Sequence, residues 1–227
     1  MEENVWTLLV KSNIIFQKDF HLEFRTRYAI NAIILFAVIS LTAVSFSIGP
    51  MQLDPPIQSA MLWIIIFFSA MSGLAHIFVR EEEQQTSDTL RLVAPPTAIF
   101  LGKWVFNVVL LFSLEIIVIP LYIALLNVDV QGMGAFLTII ILGSVGLASI
   151  GTIMAAIVAQ ASTRGALFAV LSFPLSIPVL RSAIQGTWTA IQGGGLADCL
   201  ADIQLLFSFT VVILTSSIML FEFIWRK

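Results

Sequence analysis

Six apolar segments, at about 28–49, 57–79, 101–126, 133–159, 165–182 and 203–224, constrain this 227-residue chain more than any other feature. A helix rises about 1.5 Å per residue, so roughly 20 apolar residues cross a hydrocarbon core of about 30 Å. Five segments are long enough with some tilt; the fifth is short and holds Pro174 and Pro178. Charged residues make up only 11% of the chain and mean hydropathy is +1.00, whereas soluble domains carry about a quarter charged residues. The fold class this predicts is all-α: a polytopic membrane protein with six transmembrane helices, forming one domain over residues 1–227.

Lys and Arg set the expected orientation. With an even number of spans, Lys11, Lys18, Arg25, Arg27, Arg80, Arg91, Lys103, Arg164, Arg226 and Lys227 share one side, and Arg181 stands alone on the other. That asymmetry makes the basic side cytoplasmic, with both termini there. The N-terminal MEENVWTLLVKSNIIFQKDF lacks a basic start, a continuous apolar run and a small-residue cleavage site, so no cleaved signal peptide is expected. On the far side, 49–56 and 127–132 are too short for a folded domain. Residues 181–202 form a longer outer loop, with Gly193–Gly195 as a break and Trp188 as an interfacial anchor.

Residues 4–27 are too polar to cross. Phe16, Phe20 and Phe24 recur every four residues on a stripe with Leu9 and Asn13, among Lys11, Lys18, Asp19, Arg25 and Arg27. This spacing predicts an amphipathic helix in the membrane interface, or one packed on the protein's own loops.

Chemistry-bearing motifs are scarce. Gly102-Lys103 lacks the upstream glycine of a phosphate loop, and Gly193-Gly194-Gly195 lies between no strand and helix. His21 and His76 are far apart, and Cys199 is the single cysteine. No bound cofactor, no metal and no nucleic-acid partner is expected. Any work must draw on a gradient or a partner.

Glu115 is the one ionisable group near the middle of a span. It reads either as a cavity-lining, proton-accepting group or as a carboxyl bonded to Ser or Thr of the fourth span. That span is small-sided: Ser144, Ala148 and Thr152 form one row, Gly151 and Ala155 another. Such rows let helix backbones approach closely, within one subunit or in a homodimer. Pro174 and Pro178 each remove a helix hydrogen bond, predicting a kinked or broken fifth helix.

The only long polar stretch between spans is VREEEQQTSDTLRLVAPP, within a cytoplasmic loop at 80–97. Arg80, Glu81, Glu82 and Glu83 close the second span. Thr86 or Ser87 is placed to cap a new helix, with Asp88 in its first turn. Leu90, Arg91, Leu92 and Val93 continue it, and Pro95-Pro96 stop it. A two-turn helix is not stable alone, so a docking partner is expected.

This loop, with the Leu-Gly-Lys that follows it, resembles that of the haem exporter protein B family (CcmB). LSFPLSIPVL resembles that family's fifth span, and SIGP at 47–50 the end of its first. At Gln85-Thr86 the chain departs from the family's acidic-Gly pair. The resemblance implies an ABC-2 exporter-like permease of cytochrome c biogenesis, not itself an enzyme, in a bacterial plasma membrane or a mitochondrial inner membrane. It implies a coupling helix at Arg80–Val93 gripped by a separate ATPase (CcmA) that binds ATP. It further implies a haem-handling membrane protein (CcmC) and a haem chaperone (CcmE) as partners, with haem handled by the complex. Open beside it are a permease for a lipid, drug or polysaccharide, a gradient-driven carrier and a non-transporting scaffold.

Overall fold

A computed structural model describes residues 5–49, 53–160 and 165–225. Among them are nine helices and no strand: α1 (Val5–Thr26), α2 (Tyr28–Ile48), α3 (Pro55–Leu74), α4 (His76–Glu83), α5 (Ser87–Val93), α6 (Pro96–Leu126), α7 (Met133–Ala159), α8 (Gly165–Ile191) and α9 (Leu200–Trp225). Six are long and apolar enough to cross a membrane, counting α3 and α4 as one helix stepped at Ala75.

The bundle is built around α7, which packs against α3, α4, α6, α8 and α9. Its side chains explain why. Ser144, Ala148, Gly151, Thr152 and Ala155 are all buried on it. At Gly143 a β-carbon would fall 2.2 Å from the Trp63 ring, so only glycine admits the indole. That fully buried ring is then fixed by its Nε1–H, which donates to Thr187 Oγ1 at 2.8 Å. Three helices, α3, α7 and α8, are thereby keyed together by a single side chain.

Four expectations need correction. The fifth span is not the short segment 165–182 but a helix of 27 residues ending at Ile191. The outer loop therefore shrinks from 181–202 to 192–199. Residues 181–191 looked too polar to span, yet Ala183, Thr187 and Ala190 are buried against neighbouring helices, which stabilises the extra turns. Of the two forms expected of the fifth helix, kinked or broken, the broken one is ruled out, since α8 continues through Pro174 and Pro178. Packing on α7 and α3 holds the flanking turns in place. The third span begins at Pro96 rather than 101, because proline at the first helical position needs no N–H partner. The contributions of Pro50, Arg164, Arg226 and Lys227 to the motif and charge readings lie outside the described residues.

Candidate functional site

At one end of the bundle α1, α4, α5 and the start of α6 converge. α1 lies along α6 and turns Ser12, Ile15, Asp19 and Glu23 inward. Its Phe16, Phe20 and Phe24 rings line a different edge, with successive centroids 5.6 and 4.5 Å apart. The chain then turns sharply at Arg27, in left-handed conformation with φ 52°, and the Glu23 carboxylate accepts the Ile30 N–H at 3.0 Å. That bond satisfies one of the orphan donors of the first turn of α2.

Beneath this elbow sits a buried charge cluster. Lys103, on α6 and fully buried, donates to Asp19 Oδ2 at 3.2 Å, Glu81 Oε1 at 3.0 Å and the Ile77 carbonyl at 3.0 Å. An ammonium has three protons to donate, and all three find acceptors. Lys18 pairs with Asp19 Oδ1 at 3.2 Å and donates to Glu81 Oε1. Thr86 Oγ1 donates to Glu81 Oε2 at 2.6 Å. Two ammonium groups thus face two carboxylates, so the cluster carries no net charge. Burial works against the Lys18 ammonium, but Asp19 and Glu81 outweigh it and hold its pKa above the ordinary lysine value.

The residues expected to couple to an ATPase divide into two sets. Glu81 and Ser87 are buried, and Leu90 packs against the core. Arg91 lies 5.1 Å from the centre of the Trp225 ring and 3.5 Å from the Asp88 carboxylate. Trp225 in turn stacks on Phe221 and meets Phe78 edge-on. Outward-facing are Leu92, 89% exposed, Val93, 67% exposed, and also Glu83, Thr86 and Asp88; Arg80 and Glu82 are half-buried. Thr86 stands at the N-cap of α5, but its hydroxyl bonds Glu81 instead of capping the helix. A short helix with an exposed apolar tip is therefore held by an ion cluster at one end and an aromatic contact at the other.

Two cavities lie at this end of the bundle. One, of about 670 Å³, lies between α1, the start of α2 and α4, lined in part by Tyr28, His76, Arg80 and Phe106. The other, a groove of about 430 Å³, separates α1 from α5. His76 meets Tyr28 edge-on at 5.0 Å, and His21 Nδ1 lies 2.8 Å from the Gln17 carbonyl. Among the described residues no group of His, Cys, Asp and Glu is placed to hold a metal ion.

Deeper in the bundle a polar seam joins α6 to α7. Trp104 Nε1–H donates to Ser149 Oγ at 2.9 Å and Asn107 Nδ2–H to Thr152 Oγ1 at 2.8 Å. Ser144 Oγ–H donates to the Glu115 carboxyl. Glu115 is thus joined to Ser144 of the small-sided helix, while Pro174 and Pro178 lie apart on α8. The sequence reading missed Lys103, Asp19 and Lys18 as one unit. Lys103 was the available signal, a lone charge between the apolar runs Ile99–Leu101 and Trp104–Phe106.

Helices able to cross the membrane six times, packed around one small-sided helix and carrying a charged elbow at one end, define a polytopic all-α membrane protein. The chain belongs to the CcmB protein family, which it matches over residues 10–223. It is similar to heme exporter protein B of Bradyrhizobium diazoefficiens, 28% identical over 162 residues that cover 70% of this chain and 73% of that protein. The namesake from Pseudomonas aeruginosa is 23% identical over 198 residues, 84% of this chain and 83% of that one. That of Rhodobacter capsulatus is 25% identical over 172 residues, covering 73% and 77%.

Proposed function

We propose that this chain is the permease subunit of an ATP-driven haem exporter complex acting in cytochrome c biogenesis, and that α5 is the helix on which a separate ATPase chain docks. Supporting the first part is membership of the CcmB family, together with relatives named heme exporter protein B. The observation that carries the second is the exposure of Leu92 (89%) and Val93 (67%) at the tip of a helix fixed from within. An exposed leucine–valine pair on a two-turn helix is a cost to a free subunit and a contact to a bound one.

In this reading the end bearing α1, α4 and α5 is cytoplasmic, which the Lys and Arg asymmetry supports, and the membrane is the bacterial plasma membrane. ATP is bound by the partner ATPase (CcmA-like). Closure of that partner pushes α5, and the push reaches α6 through Glu81 and Lys103 and α9 through Arg91 and Trp225. The work is used to export haem or to release a haem-loaded chaperone (CcmE-like) beside a haem-handling protein (CcmC-like).

The test is the Leu92→Asp, Val93→Asp double substitution. The expected result is that the ATPase no longer co-purifies and mature cytochrome c falls. Unchanged co-purification with unchanged maturation rejects the assignment of α5.

A further inference from the structure

The larger cavity at this end, of about 670 Å³, plays no part in the reading of α5. One of its walls is α4, where His76, Arg80 and Glu83, at i, i+4 and i+7, fall on one face. The other carries Glu23 and Thr26 from the end of α1 and Tyr28 from the start of α2. His76 meets Tyr28 edge-on and so joins the two walls. The lining holds charge of both signs. Among the described residues the half-buried Arg80 guanidinium forms no ion pair. Facing the cavity from the other wall, Glu23 gives Oε1 to the Ile30 N–H, and a carboxylate has further lone pairs to offer. A cation on one wall and a carboxylate on the other suit a ligand that carries an anion and an ammonium close together.

The cavity also stands at the height of lipid headgroups. α1 is too polar to cross and α2 is the first span, so the turn at Arg27 marks the membrane interface. From there α2 turns Tyr28, Leu35 and Ile39, at i, i+7 and i+11, to one outer face, each more than half exposed. Between Tyr28 and Ile39 the helix descends roughly 16 Å, the depth of one leaflet in a core of about 30 Å. Tyr28 belongs to both the cavity and this stripe. A charged socket thus opens onto an apolar track one leaflet long.

We propose that this cavity binds one phospholipid whose headgroup bears a phosphate and a primary ammonium, phosphatidylethanolamine in chemical class. The phosphate meets Arg80, the ammonium meets Glu23, and an acyl chain lies along Tyr28, Leu35 and Ile39. A trimethylated choline headgroup has no N–H to give Glu23, and a glycerol headgroup brings no cation. Held in this way, the lipid ties the elbow of α1 and α2 to α4.

The test is native mass spectrometry of the delipidated full chain in detergent, titrated with phosphatidylethanolamine, phosphatidylcholine and phosphatidylglycerol of matched acyl chains. The ethanolamine lipid should be retained about fivefold over either of the others. Arg80→Gln and Glu23→Gln should each cut that preference to about twofold. The second of these keeps an acceptor for the Ile30 N–H, so the start of α2 stays satisfied. In thermal melts the ethanolamine lipid should raise the midpoint of the parent and leave that of Arg80→Gln where it was. Equal retention of all three lipids would make them annular only and overturn the proposal. Tighter retention of phosphatidylglycerol overturns it too, since Glu23 would then have no part in binding. Displacement of the lipid by glycerophosphoethanolamine assigns the site to a soluble headgroup, and displacement by equimolar haem assigns it to cargo; either result overturns the lipid assignment.

Discussion

The Arg91 guanidinium sits 5.1 Å from the centre of the Trp225 ring, and so ties the last turn of α5 to the last turn of α9. With Thr86 bound to Glu81 at the other end, α5 is held at two points that lead into different helices. A helix of seven residues has little stability of its own. Its position is therefore a property of these anchors.

Replacing Arg91 by Ala removes a contact worth about 0.5–1 kcal/mol at a half-exposed site. Global stability should change little. Amide exchange across 87–93 should rise severalfold while exchange in α7 stays as in the parent, and mass spectrometry of exchanged peptides reads both. Unaltered exchange in α5 would show that the aromatic anchor holds nothing.

Lys103→Met should be far more damaging. It leaves Lys18 as the single cation facing two buried carboxylates, Asp19 and Glu81, a loss of about 3–5 kcal/mol for a broken buried pair. Thermal unfolding in detergent measures it. Adding Asp19→Asn to Lys103→Met should recover part of the loss, because Lys18 then pairs with Glu81 and no uncompensated carboxylate remains.

Gly143→Ala and Gly151→Ala look alike in sequence but should differ in effect. An added β-carbon falls 2.2 Å from the rigid Trp63 ring at Gly143, but 2.6 Å from the Leu74 Cδ1 methyl at Gly151. A methyl at the end of a side chain swings away; a ring bonded to Thr187 does not. The first substitution should cost about 1–3 kcal/mol and the second less, in paired thermal melts.

Glu115→Gln should keep stability and cytochrome c maturation near those of the parent, since the amide oxygen still accepts the Ser144 hydroxyl. Ser144→Ala leaves the buried carboxyl without that donor and should destabilise by about 1–3 kcal/mol. A loss of maturation in Glu115→Gln at unchanged stability would instead make the acid itself a working group.

The spans were legible because the bilayer demands about 20 apolar residues in a row, and that demand is local in sequence. α2 and α7 were read almost to the residue for that reason. α5 was legible from Asp88 in its first turn, its leucines and the prolines after it. The cluster under it was not, because Lys18 and Glu81 are 63 residues apart and Asp19 and Lys103 are 84 apart. Charges that meet only after packing leave no periodic trace. Hence Glu81 was grouped with the residues expected to couple to an ATPase, although its side chain is buried. Residues 181–191 misled in the other direction, where local polarity hid turns that only tertiary contacts stabilise.

The balanced foursome of Lys18, Lys103, Asp19 and Glu81 also bears on how this end of the bundle comes apart. Lifting α1 away would carry off one ammonium and one carboxylate and leave the other pair behind on α6 and α4. Each ion that crosses from one helix to another makes that separation costlier than the loss of apolar contact alone. The elbow helix is therefore part of the bundle's wall rather than an appendage to it.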